Sequence, residues 1–381
     1  MEFEIAVVKD IVLDDTSKYF TTAGEWNGIG TVFFQKVKGR NYKSTGFAKP
    51  FFSNLSNYPL LEELIYIFKL PSPDIQKNNL QDSYYYLTPI NIWNSNHHNG
   101  IPNLFAANLP DSQKRDYEQT SLGAVRRVQD RSSDIKLGNS FVERSYIKPL
   151  KRFEGDVIVE GRLGNSIRLG STNLIDNNAL NNWSQNGTTG DPILILRNGQ
   201  GDTGSVGYIP TEENINSDPS SIYLTTSQII PITVASTNNY LSYKSDKPQA
   251  PNIYKNNQVI ITSGRVLLNS QTDHILLTSA KSINLNARES VNFDTTGDIT
   301  LQSNKVYLGG KLAEEPVLLG NTAVKELKEI VEILKELLIA GTQAANSGGP
   351  ILPLQSKSAE LLTRLQSINL DLMKSSRTFT I

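Results

Sequence analysis

Between Gln258 and Leu308 the apolar residues come in pairs with one residue between them: Val259/Ile261, Val266/Leu268, Ile275/Leu277, Ile283/Leu285, Val291/Phe293, Ile299/Leu301 and Val306/Leu308. Successive pairs stand 7, 9, 8, 8, 8 and 7 residues apart, and Ser, Asn, Thr, Asp, Gly, Lys and Arg dominate the intervals. Alternation at period two puts both members of a pair on one face of a short strand, and the residues between pairs suit exposed turns. The pattern predicts three-residue strands recurring about every eight residues, a stack of units none of which can bury a face alone. Ordering one unit costs roughly 8 to 16 kcal/mol of backbone entropy, whereas burying its two side chains returns about 3 to 6 kcal/mol. Nothing else in the chain supplies an opposing wall, so the stripe is expected to meet copies of itself. Three copies around one axis would bring the pairs to the centre and hydrogen-bond each strand to neighbours from other chains, leaving few open edges. The expectation is an intertwined, obligately homotrimeric β-helical prism over 258–310 with the paired residues as its core. The simpler alternative is a monomeric meander of hairpins.

The same theme recurs at wider steps in Val157/Val159, Ile167/Leu169, Ile193/Ile195 and Ile222/Leu224, with polar insertions at 173–191 and 197–218. Residues 154–257 are therefore predicted to form an upper prism with surface loops. Upstream, strands are expected at 4–15, 29–37, 64–70 and 84–93, with a further candidate at 119–128, separated by Gly and Pro turns; this predicts a small β-barrel over 1–110. Residues 111–153, with a charged stretch and Arg126, Arg127 and Arg131 but no clear period, read as a connector. After the repeats the pattern changes to a helical one. Val324, Leu327, Val331, Leu334 and Leu338 step by 3, 4, 3 and 4 on a helix capped at Asn321 or Thr322 and ending before Gly341, widened by Ile330, Ile333 and Leu337. Leu361, Leu365, Ile368 and Leu372 form a second seam on 358–373, so a C-terminal α-helical hairpin or bundle is expected over 317–381, six helices in a trimer. The alternative is that one helix is a docking handle for a partner. The fold class is thus mainly β: barrel, trimeric prism, helical end.

Composition narrows the chemistry. Thirty-seven basic and 38 acidic side chains leave a net charge of −1, which gives no general pull toward nucleic acid or anionic membrane. The aromatic residues Phe33, Phe34, Tyr66, Phe68, Tyr84, Tyr85, Tyr86 and Trp93 are not interleaved with a basic groove, so barrel packing is preferred to base stacking. Absence of cysteine removes disulfides, thiolate metal sites and cysteine nucleophiles. His97 and His98 are adjacent and would need another ligand from elsewhere to hold a metal. The Gly199–Gly207 run lacks the Gly-Lys-Ser/Thr ending of a phosphate loop. Asp156, Glu160, Asp191, Asp202 and Asp294 are scattered, where glycoside hydrolysis needs two converging carboxylates. No catalytic residue, cofactor or metal is expected, and no leader or membrane span is read from the sequence.

Several stretches carry a resemblance. Lys281-Ser-Ile-Asn-Leu-Asn-Ala287 and Gly297-Asp-Ile-Thr-Leu-Gln-Ser303 resemble the octad repeats of central spike proteins in contractile phage tails and of VgrG spikes in type VI secretion. Glu154 to Ser171 is similar to the start of such prisms, and 48–60, 63–72 and 84–94 resemble the oligonucleotide/oligosaccharide-binding-type barrel above them. The ending Ser376-Arg-Thr-Phe-Thr-Ile381 also looks like the tails of such spikes. The resemblance implies a structural spike of a baseplate, seated by its barrel in a hub and driven through a cell envelope on sheath contraction. It implies assembly in the bacterial cytoplasm, a separate hub chain because no hub portion precedes the barrel, and a separate tip protein because no His-X-His tip motif is present. Residues 130–160 leave no room for the lysozyme domain of some spikes. Two other functions remain open from sequence: a trimeric fibre or adhesin binding a surface glycan through 173–191 and 197–218, and a β-helical polysaccharide-degrading enzyme.

Overall fold

A computed structural model describes residues 2–37, 44–71, 82–87, 100–102, 135–137, 141–143, 146–175, 178–179, 181–184, 187–201, 210–236, 240–243, 245–308, 315–318, 320–345, 352–368 and 374–380. The chain divides into one unit of Met1–Thr233 with Pro251–Ile275, and a second of Val234–Ala250 with Leu276–Ile381.

The first unit opens with a closed five-stranded barrel made of β1 (Glu4–Ile11), β2 (Val32–Lys36), β3 (Thr45–Pro50), β4 (Leu64–Pro71) and β5 (Asp82–Leu87), in the order β1-β2-β3-β5-β4. The β3–β5 pairing is parallel and the rest antiparallel. Alternate residues fill the inside: Ala6, Val8, Val32, Phe34, Ala48, Ile65, Ile67 and Tyr86. Buried Tyr86 donates its hydroxyl to the Gly30 carbonyl at 2.9 Å. Gly30 has φ 83°, and a Cβ there would stand 2.9 Å from the Tyr58 ring, so only glycine suits that turn. Strand β3 has no counterpart in the sequence expectation, and the candidate strand at 119–128 lies outside the described residues. A small sheet of β6 (Gly100–Pro102), β7 (Ile135–Leu137) and β8 (Phe141–Glu143) follows, in the order β6-β8-β7.

The second half of this unit is an antiparallel meander of β9 (Val157–Glu160), β10 (Ser166–Ser171), β13 (Pro192–Asn198), β14 (Ser220–Thr225) and β15 (Gln258–Ser263), with a two-strand hairpin of β11 (Leu174–Ile175) and β12 (Asn178–Ala179) in the loop after β10. One face of the meander is covered by the chain's own loops: Ile193, Ile195, Tyr223 and Ile260 pack with Trp183, Ile215 and Ile230, and with half-buried Phe153 and Ile232. Arg168, also on this face, is fully buried. Its Nε donates to Glu213 Oε1 at 2.7 Å, its Nη2 to the Lys151 carbonyl at 2.8 Å, and its Nη1 to Asp156 Oδ2. The guanidinium also lies over the Trp183 and Phe153 rings, 5.2 and 5.5 Å from their centroids. The charge is tolerable inside only because both carboxylates and a carbonyl meet it. Arg162 ties this module to the barrel through two bonds to Glu63, at 2.6 and 2.9 Å.

In the second unit, β16 (Val306–Tyr307) and β17 (Glu315–Leu318) both pair with β18 (Lys374–Thr380), β16 in parallel and β17 antiparallel. Between β17 and β18 the chain makes helix α2 (Gly320–Ala345) and helix α3 (Leu352–Ser367), counting a short helix at Phe20–Ala23 as α1. Helix α2 continues through Gly341, where the sequence suggested a stop, and α3 begins six residues earlier than expected and ends before Ile368. Leu372 lies outside the described residues. Ile333 and Leu361 are buried, and Arg364 crosses from α3 to Glu329 and Glu336 of α2 at 2.7 and 2.8 Å.

Candidate interaction surface

The uncovered face of the five-stranded meander is apolar. Its pairing register aligns two rows across all five strands: Val159, Ile167, Leu196, Ile222 and Ile261 in one, Val157, Leu169, Leu194, Leu224 and Val259 in the other. Seven of these ten aliphatic side chains are among the exposed large hydrophobic residues of the chain. The register corrects one sequence assignment. Ile193 and Ile195 are buried in the covered face, and Leu194 and Leu196 take the positions in the exposed rows. Pro192-Ile-Leu-Ile-Leu-Arg197 is apolar at four consecutive positions, so alternation alone cannot set its phase; only pairing to Leu169 and Leu224 does. An aliphatic wall of this kind is a candidate interaction surface.

Beyond β15 the repeats continue without a covering layer. Every residue from Ser263 to Lys305 is exposed. The backbone bends at 264, 271–273, 280–281, 288–289, 296–297 and 303–304, so the turns fall between the apolar pairs at steps of about eight residues. Side chains hold the bends locally: Ser270 accepts from the Asp273 amide, Ser279 from those of Lys281 and Ser282, and Thr295 from that of Gly297. No backbone hydrogen bond joins residues 264–304 to another described stretch of chain, so the expected three-residue strands are not paired within one copy. Val259, Ile261, Val266, Leu268, Ile275, Leu277, Ile283, Leu285, Val291, Phe293, Ile299, Leu301 and Leu308 all stand between 46% and 70% exposed, and Val306 is half-buried in β16. Two side chains of the 234–250 segment meet side chains of the repeats: the Ser236 hydroxyl donates to Asn286 Oδ1 at 3.2 Å, and the Tyr243 hydroxyl bonds to the Ser282 hydroxyl at 2.6 Å.

The helical residues divide in two. Val324, Leu327, Val331, Leu334, Leu338 and Leu365 are exposed, whereas Leu361 is buried in the hairpin and Ile368 is half-buried just past the end of α3.

Chemistry is sparse. Asp156 serves Arg168, Glu160 accepts from the Leu150 amide at 2.8 Å, and Asp191 bonds to Ser227. Asp294 is exposed in the repeats, and Asp202 lies outside the described residues, as do His97, His98 and Trp93. Among the described residues no group of three or more His, Asp or Glu side chains could hold a metal ion. No helix of the described residues is long and apolar enough to cross a membrane. Sequence reasoning missed the Arg168–Glu213 pair, because 45 residues separate its members and neither position is distinctive alone. Comparison with known proteins gives no match: no family model, curated protein or solved structure is significantly similar to this chain.

Proposed function

We propose that the chain is the homotrimeric central spike of a contractile tail or injection-system baseplate. The observation that carries this reading is the two-row aliphatic face of the meander, followed in sequence by five further apolar pairs, Val266/Leu268 to Ile299/Leu301, whose backbone has no strand partner among the described residues of its own chain. Backbone N–H and C=O groups flanking a dry apolar stripe need partners, and identical chains supply both the missing strands and the opposing side chains. In the trimer the pairs fill the axis as a β-helical prism, and its stacked hydrogen bonds resist bending. The work is mechanical, with no catalytic residue: sheath contraction would push the prism through a cell envelope. The barrel, of the oligonucleotide/oligosaccharide-binding type, would seat the spike in a separate hub protein, and a separate tip protein would sit at the distal end.

The test is localisation. Antibody raised against the chain should decorate the baseplate end of sheathed particles released by the producing bacterium. Label at the ends of fibres, with saccharide binding that is lost when the 173–191 and 197–218 loops are shortened, would favour a glycan-binding fibre instead. Glycan cleavage by the purified chain would favour the enzyme.

A further inference from the structure

Helix α2 leaves one face uncovered after α3 has docked. In heptad terms Val324, Val331 and Leu338 occupy a, Leu327 and Leu334 occupy d, and Lys328 and Lys335 occupy e; all are exposed. Helix α3 takes the other side, burying Ile333 at c and holding Glu329 and Glu336 at f through Arg364. Those two acids are thus committed within the hairpin, and the hydrogen bonds from Arg364 hold Glu336 below the ordinary carboxylate range. The uncovered side is a groove of about 570 Å³ lined by Val324, Leu327, Lys328, Val331, Glu332 and Lys335.

We infer that this groove is filled by the α2 helices of the other two copies, in a parallel, in-register three-stranded coil with each α3 packed on the outside. The inference rests on the homotrimer proposed above and chooses between a bundle and a handle for a different protein. Three features select the arrangement. Gly320 follows Leu308 by twelve residues, so three chains that share the prism deliver three α2 starts at one level, which favours parallel helices. The e positions are both lysine. Antiparallel helices would set e against e and so lysine against lysine, whereas parallel helices set e against g, where the lysine stems can lie over Ile330 and Leu337. Valine at a with leucine at d tends toward two strands, but apolar g positions widen the stripe beyond what one neighbour covers, and this decides for three. A coil of this kind uses the whole apolar face of α2 for self-association and leaves none for a distal partner.

The chain has no cysteine, which makes disulfide trapping unambiguous. Four single variants of the full chain, Leu327→Cys, Leu338→Cys, Ile283→Cys and Leu362→Cys, are oxidised under mild conditions and run on non-reducing gels, with helix content checked by circular dichroism. Positions 327 and 338 lie three turns apart on α2, so both can link to themselves only in a parallel, in-register coil. The expected result is a reducible two-chain band as the major product for Leu327→Cys, Leu338→Cys and Ile283→Cys, and none for Leu362→Cys, on the outer face of α3. A link at 283 without links at 327 and 338 would overturn the coil while leaving the prism standing, and would assign the groove to another protein. Links at 327 and 338 without one at 283 would support the coil and remove the prism. No link at any position would overturn both.

Discussion

Val259/Ile261 and Ile283/Leu285 are pairs of the same spacing and the same kind of side chain, yet they sit in different surroundings. The first belongs to β15, paired residue for residue with β14, and the residue between its members, Ile260, is buried among Tyr223, Ile230 and Trp183. The second is flanked by bends, has no strand partner within its chain, and encloses an exposed Asn284. The difference lies in the intervening position. In the meander it is occupied by Arg168, Ile195, Tyr223 and Ile260, which build a core with the chain's own loops. At Ile283/Leu285, Val291/Phe293 and Ile299/Leu301 it is Asn284, Asn292 and Thr300, which build none. A stretch with a private core folds on its own account, and its second apolar face is available for assembly. A stretch without one has no such source of order in its own chain, and in the proposed trimer the other copies would supply it.

This contrast can be broken at either end. The largest effect is expected from Ile283→Asp combined with Leu285→Asp, which places three pairs of carboxylates on the proposed axis. The trimer, expected to be unchanged on dilution in the parent chain, should dissociate on dilution by light scattering, while the barrel and meander keep their strand signal and their cooperative melt. Loss of both would mean that the meander too depends on assembly. Next is Arg168→Ala, which leaves Asp156 and Glu213 buried without their cation; unfolding of the meander in urea should be easier by about 3–5 kcal/mol, and the trimer should persist. Tyr86→Phe removes the donor to the Gly30 carbonyl, and should destabilise the barrel alone by about 1–3 kcal/mol. The smallest effect concerns pH. Because hydrogen bonds from Arg364 lower the Glu336 pKa from its ordinary 4.5, the contact stabilises the hairpin above that value and is lost as pH falls through the lower folded one. The helix melting temperature should drop more steeply below pH 4.5 in the parent chain than in Glu336→Gln.

Much of this organisation was legible in the sequence. The eight-residue period was readable because turn-forming residues separate the pairs, and the backbone bends fall at those places. Barrel strands β1, β2, β4 and β5 announced themselves through Val, Ile, Phe and Tyr. Strand β3 did not, since Thr45-Gly-Phe-Ala-Lys-Pro50 carries glycine and proline, which read as turn signals. The phase of β13 was hidden by four consecutive apolar residues, and the covering of the meander by Trp183, Ile215 and Ile230 depends on loops whose local sequence is polar. Helix α2 outran its apparent stop because one glycine costs only about 1 kcal/mol in a helix, little against the other residues of so long an element. Return of the chain end to β16 is a long-range pairing that no local pattern encodes.

The central claim is that the exposed aliphatic rows and repeats are covered by other copies of the same chain. The most direct measurement is the mass of the intact protein in solution, by light scattering over a range of concentrations. The account predicts three times the 42.2 kDa of one chain, unchanged on dilution. A monomer with the same strand content would contradict it and leave the repeats without their proposed partners.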